Sequence, residues 1–451
     1  MMRAAEGDTQ ELKGITVATL TLGCKVNQYE TSGMRELLEQ AGANLVEFNQ
    51  SADVYLINTC SVTNMAERKS RQMLHRAKKQ NPNAMVVAVG CYVQTTPQEV
   101  LDDLSVDIVI GNNRKQDIVA ILKQHLKNVG VSAQMPQEDV YWLDINQKQP
   151  YENLNISEMT EHTRAYIKIQ DGCNQFCTYC IIPYVRGRIR SRNSEDVVEE
   201  VTRLAAEGCK EVVLTGIHLS SYGNDWRENP ADWQQLDGME LIHLLQKVSE
   251  VEGIIRIRLG SLEPRIITES FVDALVKLPK VCPHFHLSLQ SACNETLKRM
   301  NRKYTIEEYE NSCRLLRLAY DRPALTTDVI VGFPGETEEE FGTTCQNLER
   351  LNLYEMHIFK YSKRRGTVAE TLPNQVSEDE KTKRSDVLLQ MTQKQKQAYE
   401  DSFQGETVQV LVEEAAGEKG EHWYVGHTER YMKVEIYSTE DVRNQIVAVK
   451  R

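Results

Sequence analysis

Residues 171–183 read DGCNQFCTYCIIP, and Cys173, Cys177 and Cys180 stand in them with C-x-x-x-C-x-x-C spacing. They follow a β-rich run, Ala165–Gln170, and open a loop. Three thiolates this close can bind three irons of a cubane iron–sulfur cluster. The fourth iron then lacks a protein ligand and can accept a substrate chelate. The amino and carboxylate groups of S-adenosylmethionine form one, and an electron from the cluster can split its C–S bond to leave a strong hydrogen abstractor. Two alternatives stay open, a loop of free thiols and a zinc site. Zinc wants four ligands. The candidates for the fourth are His162, Cys209 and His218, none at a familiar zinc spacing.

Downstream of this loop, strand-like and helix-like segments alternate. The strand candidates are Ala165–Gln170, Glu211–Thr215, Ile254–Leu259, His284–Gln290, Thr326–Val331 and Glu355–Tyr361. Helix candidates lie between them: Glu195–Glu207, Met239–Val251, Ile267–Leu278, Ile306–Tyr320 and Glu338–Leu351. Thr305 with Glu308, and Thr337 with Glu340, have capping-box spacing. Six such units fit an open, partial (β/α)6 barrel better than a closed eight-unit one. Upstream, the apolar runs Ile15–Leu22, Val54–Asn58, Met85–Val89 and Val106–Ile110 alternate with the amphipathic stretches Thr31–Ala41 and Ala66–Lys79. That is the pattern of a parallel α/β sheet. From about Gly405 short alternating segments predict a small β-barrel. The fold class is therefore α/β, with domains at 14–129, 163–395 and 404–451 and a polar linker at 130–162.

Cys24, Cys60 and Cys91 each follow a strand candidate of the first domain. In open α/β sheets the carboxyl edge of the strands is where ligands bind. Three cysteines scattered in sequence can thus converge into a second cluster, although each alone reads as a buried core thiol. Of the other five, Cys313 and Cys345 sit on apolar helix positions. Cys209 and Cys282 stand at element ends without clustered partners, and Cys293 follows the strand ending at Gln290.

The chain has 451 residues, a net charge of −12 and 26% charged residues, which suits a globular protein of two to four domains. An acidic balance argues against a protein wholly devoted to nucleic acid but leaves room for a local basic surface. The polar start MMRAAEGDTQELKG lacks signal-peptide order, and no apolar stretch is long enough to span a bilayer. A cytoplasmic protein with reduced thiols is expected.

TLGCKVNQYET, NTCSVT, VGCYVQ and DGCNQFCTYCIIPYVRGRIRSR closely resemble the radical S-adenosylmethionine methylthiotransferases. LTGIHLSSYG, RLGSLEP, HLSLQSACNETLKRMNRKYT, TTDVIVGFPGETEEEF and HIFKYSKRRGT match the same family, and the tail resembles its small RNA-binding TRAM domain. The KVNQYET stretch looks like the branch acting on N6-threonylcarbamoyladenosine in tRNA, the MtaB type. The resemblance implies two [4Fe-4S] clusters and S-adenosylmethionine. Cys173, Cys177 and Cys180 would hold the radical cluster, and Cys24, Cys60 and Cys91 an auxiliary cluster that manages the sulfur. The implied reaction replaces the C2 hydrogen of the modified adenosine at position 37, in the tRNA anticodon stem-loop, with a methylthio group. One S-adenosylmethionine supplies the methyl and another the radical. An electron donor of flavodoxin or ferredoxin type is implied. Alternatives are methylthiolation of isopentenyladenosine or of a ribosomal-protein aspartate, and, outside enzymes, a non-catalytic iron–sulfur or zinc RNA-binding module. One departure is Ser291-Ala292-Cys293, where many relatives carry Gly in the middle; Ala lacks the freedom of Gly at positive φ.

By the same resemblance Thr215, Gly216, Ser261, Glu263 and Gly332 are candidate contacts for S-adenosylmethionine, with a strand-end turn or an ion pair as the plain alternative at each. Three basic runs could track an RNA backbone. They are Arg186, Arg188, Arg190 and Arg192; Lys298, Arg299, Arg302 and Lys303; and Lys360, Lys363, Arg364 and Arg365. In the tail Trp423, Tyr424, His427, Arg430 and Tyr431 could stack on bases.

Overall fold

The computed structural model describes residues 11–95, 97–103, 105–127, 139–156, 163–416, 420 and 422–451. They form two compact bodies. One holds the described residues up to 156 with 172–174 and 180–190, and the other holds 163–171, 175–179 and 191 onward.

The first body is built on a six-stranded parallel sheet in the order β2-β1-β3-β4-β5-β6. The strands are β1 (Thr16–Thr21), β2 (Asn44–Val46), β3 (Val54–Thr59), β4 (Met85–Gly90), β5 (Ile108–Ile110) and β6 (Val140–Tyr141). The central strands β3 and β4 are buried almost throughout, as expected of parallel strands covered on both faces. Val140–Tyr141 falls within the stretch read as a linker, yet it pairs with β5 as an edge strand. His162 and residues 128–138 lie outside the described residues. The helix expected at Thr31–Ala41 begins earlier, at Lys25, and ends at Gln40. Its buried face carries Asn27, Glu30 and Thr31 as well as Val26, Met34 and Leu38. Those polar residues weaken the apolar period at its start.

In the second body six parallel strands follow one another. They are β7 (Arg164–Asp171), β8 (Glu211–Gly216), β9 (Arg256–Leu259), β10 (His284–His286), β11 (Ala324–Val331) and β12 (Glu355–Lys360). Ladders join β7 to β8 to β9, and β10 to β11 to β12. Isolated bridges Ile257↔Val281 and Leu262↔Leu287 link the two halves. This is the expected partial (β/α)6 barrel. The strand expected to reach Gln290 ends at His286; Leu287 and Gln290 make only isolated bridges, and Gln290 takes a left-handed φ of 73°. Thr305 and Thr337 both form complete capping boxes, closed by Glu308 and Glu340.

The tail is a four-stranded antiparallel sheet, a curled half-barrel rather than a closed barrel. Its strands are β13 (Thr407–Ala415), β14 (Trp423–Thr428), β15 (Lys433–Tyr437) and β16 (Ile446–Lys450), in the order β15-β14-β13-β16. A buried ionic layer ties it to the amino-terminal ends of the barrel strands. Arg164, Glu211 and Arg256 start β7, β8 and β9 in register. Arg164 pairs with Glu413, and Arg258 donates to Glu211 Oε1 at 3.0 Å. Tyr431 lies under both Arg164 and Arg258, at 4.9 and 4.8 Å, and stacks on His427 at 4.4 Å. The tail therefore occupies the end of the strands opposite their carboxyl edge.

Candidate active site

In the first body, β1, β3 and β4 are neighbours in the sheet, and the residues just past their carboxyl ends are Cys24, Cys60 and Cys91. Parallel pairing brings the three thiols together. Burial and the neighbouring Cys91 push the Cys60 thiol up to about 11, with a further rise from Cys24 and an opposing pull from Arg186. Gly23 turns at φ 105°, and a Cβ there would lie 2.8 Å from Cys60 Sγ, so the backbone itself packs on this thiol.

Polar side chains surround the three sulfurs. Cys24 Sγ donates to Asn27 Oδ1 at 3.9 Å, and Asn112 Nδ2 donates to Cys91 Sγ at 3.7 Å. Ser61 Oγ, next to Cys60, is buried without a partner. Cys24 is also the N-cap of the helix Lys25–Gln40. The positive end of that helix dipole favours anionic sulfur. Deeper in the same body Arg186 and Lys115 flank Glu30, and none of the three side chains reaches solvent. Arg186 also donates to Asn27 Oδ1 at 2.6 Å, and Lys115 to Asn112 Oδ1 at 2.6 Å. Two cations and one anion leave a net positive charge beneath the thiols. An orphaned hydroxyl, the Asn112 amide that donates to Cys91 and buried positive charge together fit an anionic iron–sulfur cluster.

Cys173 and Cys180 belong to the first body and Cys177 to the second; all three are partly buried. Gly172, before them, sits at φ 70°, and a Cβ there would meet Arg188 O at 1.9 Å. Only glycine fits. Cys173 N donates to Gly187 O at 3.0 Å. Within the second body, residues 176–178 are pinned by 299–302. Asn301 Nδ2 donates to Phe176 O at 2.9 Å, Thr178 Oγ1 to Arg299 O at 2.9 Å, and Arg302 Nη1 to Cys177 Sγ at 3.3 Å. Arg302 lies over the Tyr304 ring at 4.8 Å and donates to Ser288 O at 3.1 Å, so its guanidinium is held in place.

The remaining expected contacts meet mixed fates. Thr215 is buried at the end of β8, where a Cβ on Gly216 would crowd Gln170 Oε1 at 2.9 Å. Ser261 is exposed. Glu263 is buried, accepts from His218 Nε2 at 2.8 Å and is paired with Arg265. Burial opposes its ionisation, but His218 and Arg265 outweigh burial and hold the carboxyl down to about 2. His218 is thus committed to Glu263 and Ser221, and Cys209 Sγ to Glu211 O. Neither serves the cysteine loop. Gly332 forms a left-handed turn whose N–H donates to Glu336 and whose Cβ direction is filled by Lys381. Ala292 adopts no positive φ; the left-handed residue of that turn is Gln290.

The basic runs need correction. Arg186, Arg190, Arg192 and Arg364 are buried, not displayed. Arg192 pairs with Glu200, Arg190 donates to Arg186 O at 2.8 Å, and Arg299 pairs with Glu340. A buried guanidinium is tolerable only when paired, which is why Arg186, Arg190 and Arg192 have acids or carbonyls at hand. Lys298, Lys303, Lys360, Lys363 and Arg365 are exposed. In the tail, Tyr431 and His427 serve the ionic layer, and Arg430 Nη2 donates to Asp321 O at 2.8 Å. Asn27, Glu30, Asn112, Lys115 and the Arg302–Cys177 contact were not anticipated. Polar residues on the buried face of an amphipathic helix were the available signal for Asn27 and Glu30.

Two family models match this chain. One, described as the radical SAM superfamily, covers residues 167–348; the other, described as uncharacterized protein family UPF0004, covers residues 16–111. The threonylcarbamoyladenosine tRNA methylthiotransferase MtaB of Bacillus subtilis (strain 168) is 41% identical, over 96% of this chain and 93% of that protein. The MtaB of Aquifex aeolicus (strain VF5) is 40% identical, over 88% and 92%. The tRNA-2-methylthio-N(6)-dimethylallyladenosine synthase of Finegoldia magna is 34% identical, over 88% and 84%. Among solved structures, the radical S-adenosylmethionine methyltransferase TsrM of Kitasatospora setae superposes with a TM-score of 0.55 at 14% identity, over 79% of this chain and 77% of that one. That likeness concerns the fold alone. Among the described residues no helix is long and apolar enough to cross a membrane.

Proposed function

Because this chain belongs to the radical SAM methylthiotransferase family, whose members transfer sulfur and methyl groups to tRNA with S-adenosylmethionine and two [4Fe-4S] clusters, we propose that it converts N6-threonylcarbamoyladenosine at position 37 to its 2-methylthio form. The substrate named for the relatives at 40–41% identity supports this choice. The observation that carries the chemistry is the meeting of Cys24, Cys60 and Cys91 at the ends of three adjacent strands. Such a set suits three irons of a cluster with one position left for exogenous sulfur.

Cys173, Cys177 and Cys180 would hold the radical cluster, and Cys24, Cys60 and Cys91 the auxiliary one. When bound, the clusters and S-adenosylmethionine supply the radical and the sulfur. The chain's own residues do the rest. Arg302 donates to Cys177 and keeps the loop oriented. Thr215, Gly216, Ser261 and Glu263, at or just beyond the carboxyl ends of β8 and β9, would meet S-adenosylmethionine, with Glu263 ionised through His218 and Arg265. Gly332 would approach its adenine. The exposed Lys298, Lys303, Lys360, Lys363 and Arg365 are the cations available to the phosphates of an anticodon stem-loop. A flavodoxin- or ferredoxin-like protein would deliver the electrons, in the cytoplasm.

Mass spectrometry of tRNA nucleosides from a deletion strain tests the substrate. The methylthio form of threonylcarbamoyladenosine should vanish, its precursor should accumulate, and the wild-type gene but not Cys60→Ala should restore it. Loss of methylthio-dimethylallyladenosine instead would transfer the assignment to the second substrate, which is the one named for the 34% relative.

A further inference from the structure

Three side chains of the second body stand outside the machinery described so far. His286 ends β10, Asp328 lies in β11 and His357 in β12. In the parallel register His286 is opposite Thr326, and Asp328 is opposite His357. Residues paired across parallel strands project to the same face, as do residues two apart on one strand. Register alone therefore puts His286, Asp328 and His357 on one face. The other face carries Phe285, Leu325, Val329 and Met356, all buried.

The geometry of the three is that of a ligand set. One donor atom from each lies within 4.8 Å of the others. His286 Nδ1 is 3.0 Å from Thr326 Oγ1, and His286 Nε2 is 3.3 Å from Asp328 Oδ2. In the tautomer that donates from Nδ1 to the threonine hydroxyl, Nε2 turns a lone pair toward a carboxylate oxygen. In that tautomer a metal ion between them would meet a donor atom on either side. A hydrogen bond at the far ring nitrogen is also what orients metal-bound histidines. The His357 ring stacks on His286 with centroids 5.8 Å apart and planes 22° apart. Among the described residues His357 has no hydrogen bond or ion pair. A simple His286–Asp328 ion pair would occupy two of these groups and leave the third beside them without a role.

We propose that His286, Asp328 and His357 bind one divalent first-row cation of the zinc or iron(II) type, separately from the two clusters. Two imidazoles and a carboxylate suit such ions and leave coordination positions open. Bonds of about 2.0–2.2 Å require donor atoms roughly 3.0–3.5 Å apart. The His286–Asp328 pair already meets that spacing, and rotation of the exposed His357 closes the rest. With neutral imidazoles the three ligands carry one negative charge, so the filled site would be a monocation.

The test uses the enzyme carrying both clusters. It is freed of loose metal on a chelating resin, titrated anaerobically with Zn²⁺, desalted, and analysed for zinc and iron in the same sample. One zinc per chain with undiminished iron is expected. His357→Ala and Asp328→Asn should each weaken zinc binding at least about 100-fold in calorimetry, given that loss of mere outer-shell support costs 10–100-fold. His357 is exposed and Asp328→Asn is isosteric, so retained iron and an unchanged zinc-free melting temperature would show that both variants fold. The site is overturned if the wild type retains no zinc, if zinc enters only as iron leaves, or if His357→Ala binds it as tightly as the wild type.

Discussion

Arg186 Nη1 donates to Glu30 Oε1 at 2.9 Å with neither side chain exposed. Glu30 also meets Lys115 Nζ at 3.2 Å, so one buried carboxylate serves two buried cations beneath Cys24, Cys60 and Cys91. The residues that hold the thiols in place are thus themselves held by charge.

Removing the anion should cost more than removing one cation. Glu30→Gln leaves Arg186 and Lys115 facing each other without compensation, at about 3–5 kcal/mol. Arg186→Met leaves a neutral Glu30–Lys115 pair and mainly strips Asn27 of a partner, at about 1–3 kcal/mol. Urea denaturation of the cluster-free proteins measures both. The reverse order would sink this account of the network.

Arg302 reports on the cluster proposed at Cys177. A cation that hydrogen-bonds a ligating sulfur stabilises the reduced, more negative cluster. Arg302→Met should lower the midpoint potential of that cluster by on the order of 60 mV, a tenfold change in a one-electron equilibrium. Arg302→Lys should recover part of the shift. Redox titration followed by electron paramagnetic resonance decides, and an unmoved potential in both variants removes Arg302 from this role.

Gly23 separates the two sets of cysteines experimentally. A methyl group there meets Cys60 Sγ at 2.8 Å and forces a left-handed residue to carry a side chain. Gly23→Ala should cut iron from about eight to about four per chain, the content of one cubane instead of two. Cleavage of S-adenosylmethionine should persist while sulfur insertion stops. Full iron loading with normal product would contradict the placement of the second cluster.

The Glu263 carboxyl carries a pH signature. Its folded value of about 2 lies below the ordinary 4.5, so its ionised form stabilises the fold above pH 4.5. That contribution is lost as pH falls from 4.5 toward 2, and it amounts to about 3 kcal/mol at neutral pH. The stability gap between wild type and Glu263→Gln should be constant from pH 7 to 5 and shrink below that. Urea titrations across this range would show a flat gap at pH 3.5 if Glu263 were an ordinary carboxylate.

Much of this was legible in residue order. Thr305 and Thr337 announced their helices because capping is a contact three residues long. The helix Glu338–Leu351 matches its expected bounds, with the same local cause. The basic runs failed for the opposite reason. Alternating arginines share a face only where the backbone is extended, whereas Arg186 caps a short helix and Gly187 turns at φ 72°. Arg186 looks inward because Glu30, 156 positions earlier, awaits it. At Ser291-Ala292-Cys293 the backbone is ordinary at Ala292, and the left-handed residue is Gln290, which no glycine in the sequence marks.

The sequence by itself determined the cysteine loop at 173–180 and the strand–helix alternation, since both are written in spacing along the chain, and its motifs carried the family resemblance. Tertiary structure alone decided that Cys24, Cys60 and Cys91 meet, that Arg186 and Arg302 turn to acid and sulfur, and that His286, Asp328 and His357 share one face. Those relations depend on which strands lie side by side and in what register. Backbone pairing sets that order across many tens of residues, beyond the reach of any local pattern.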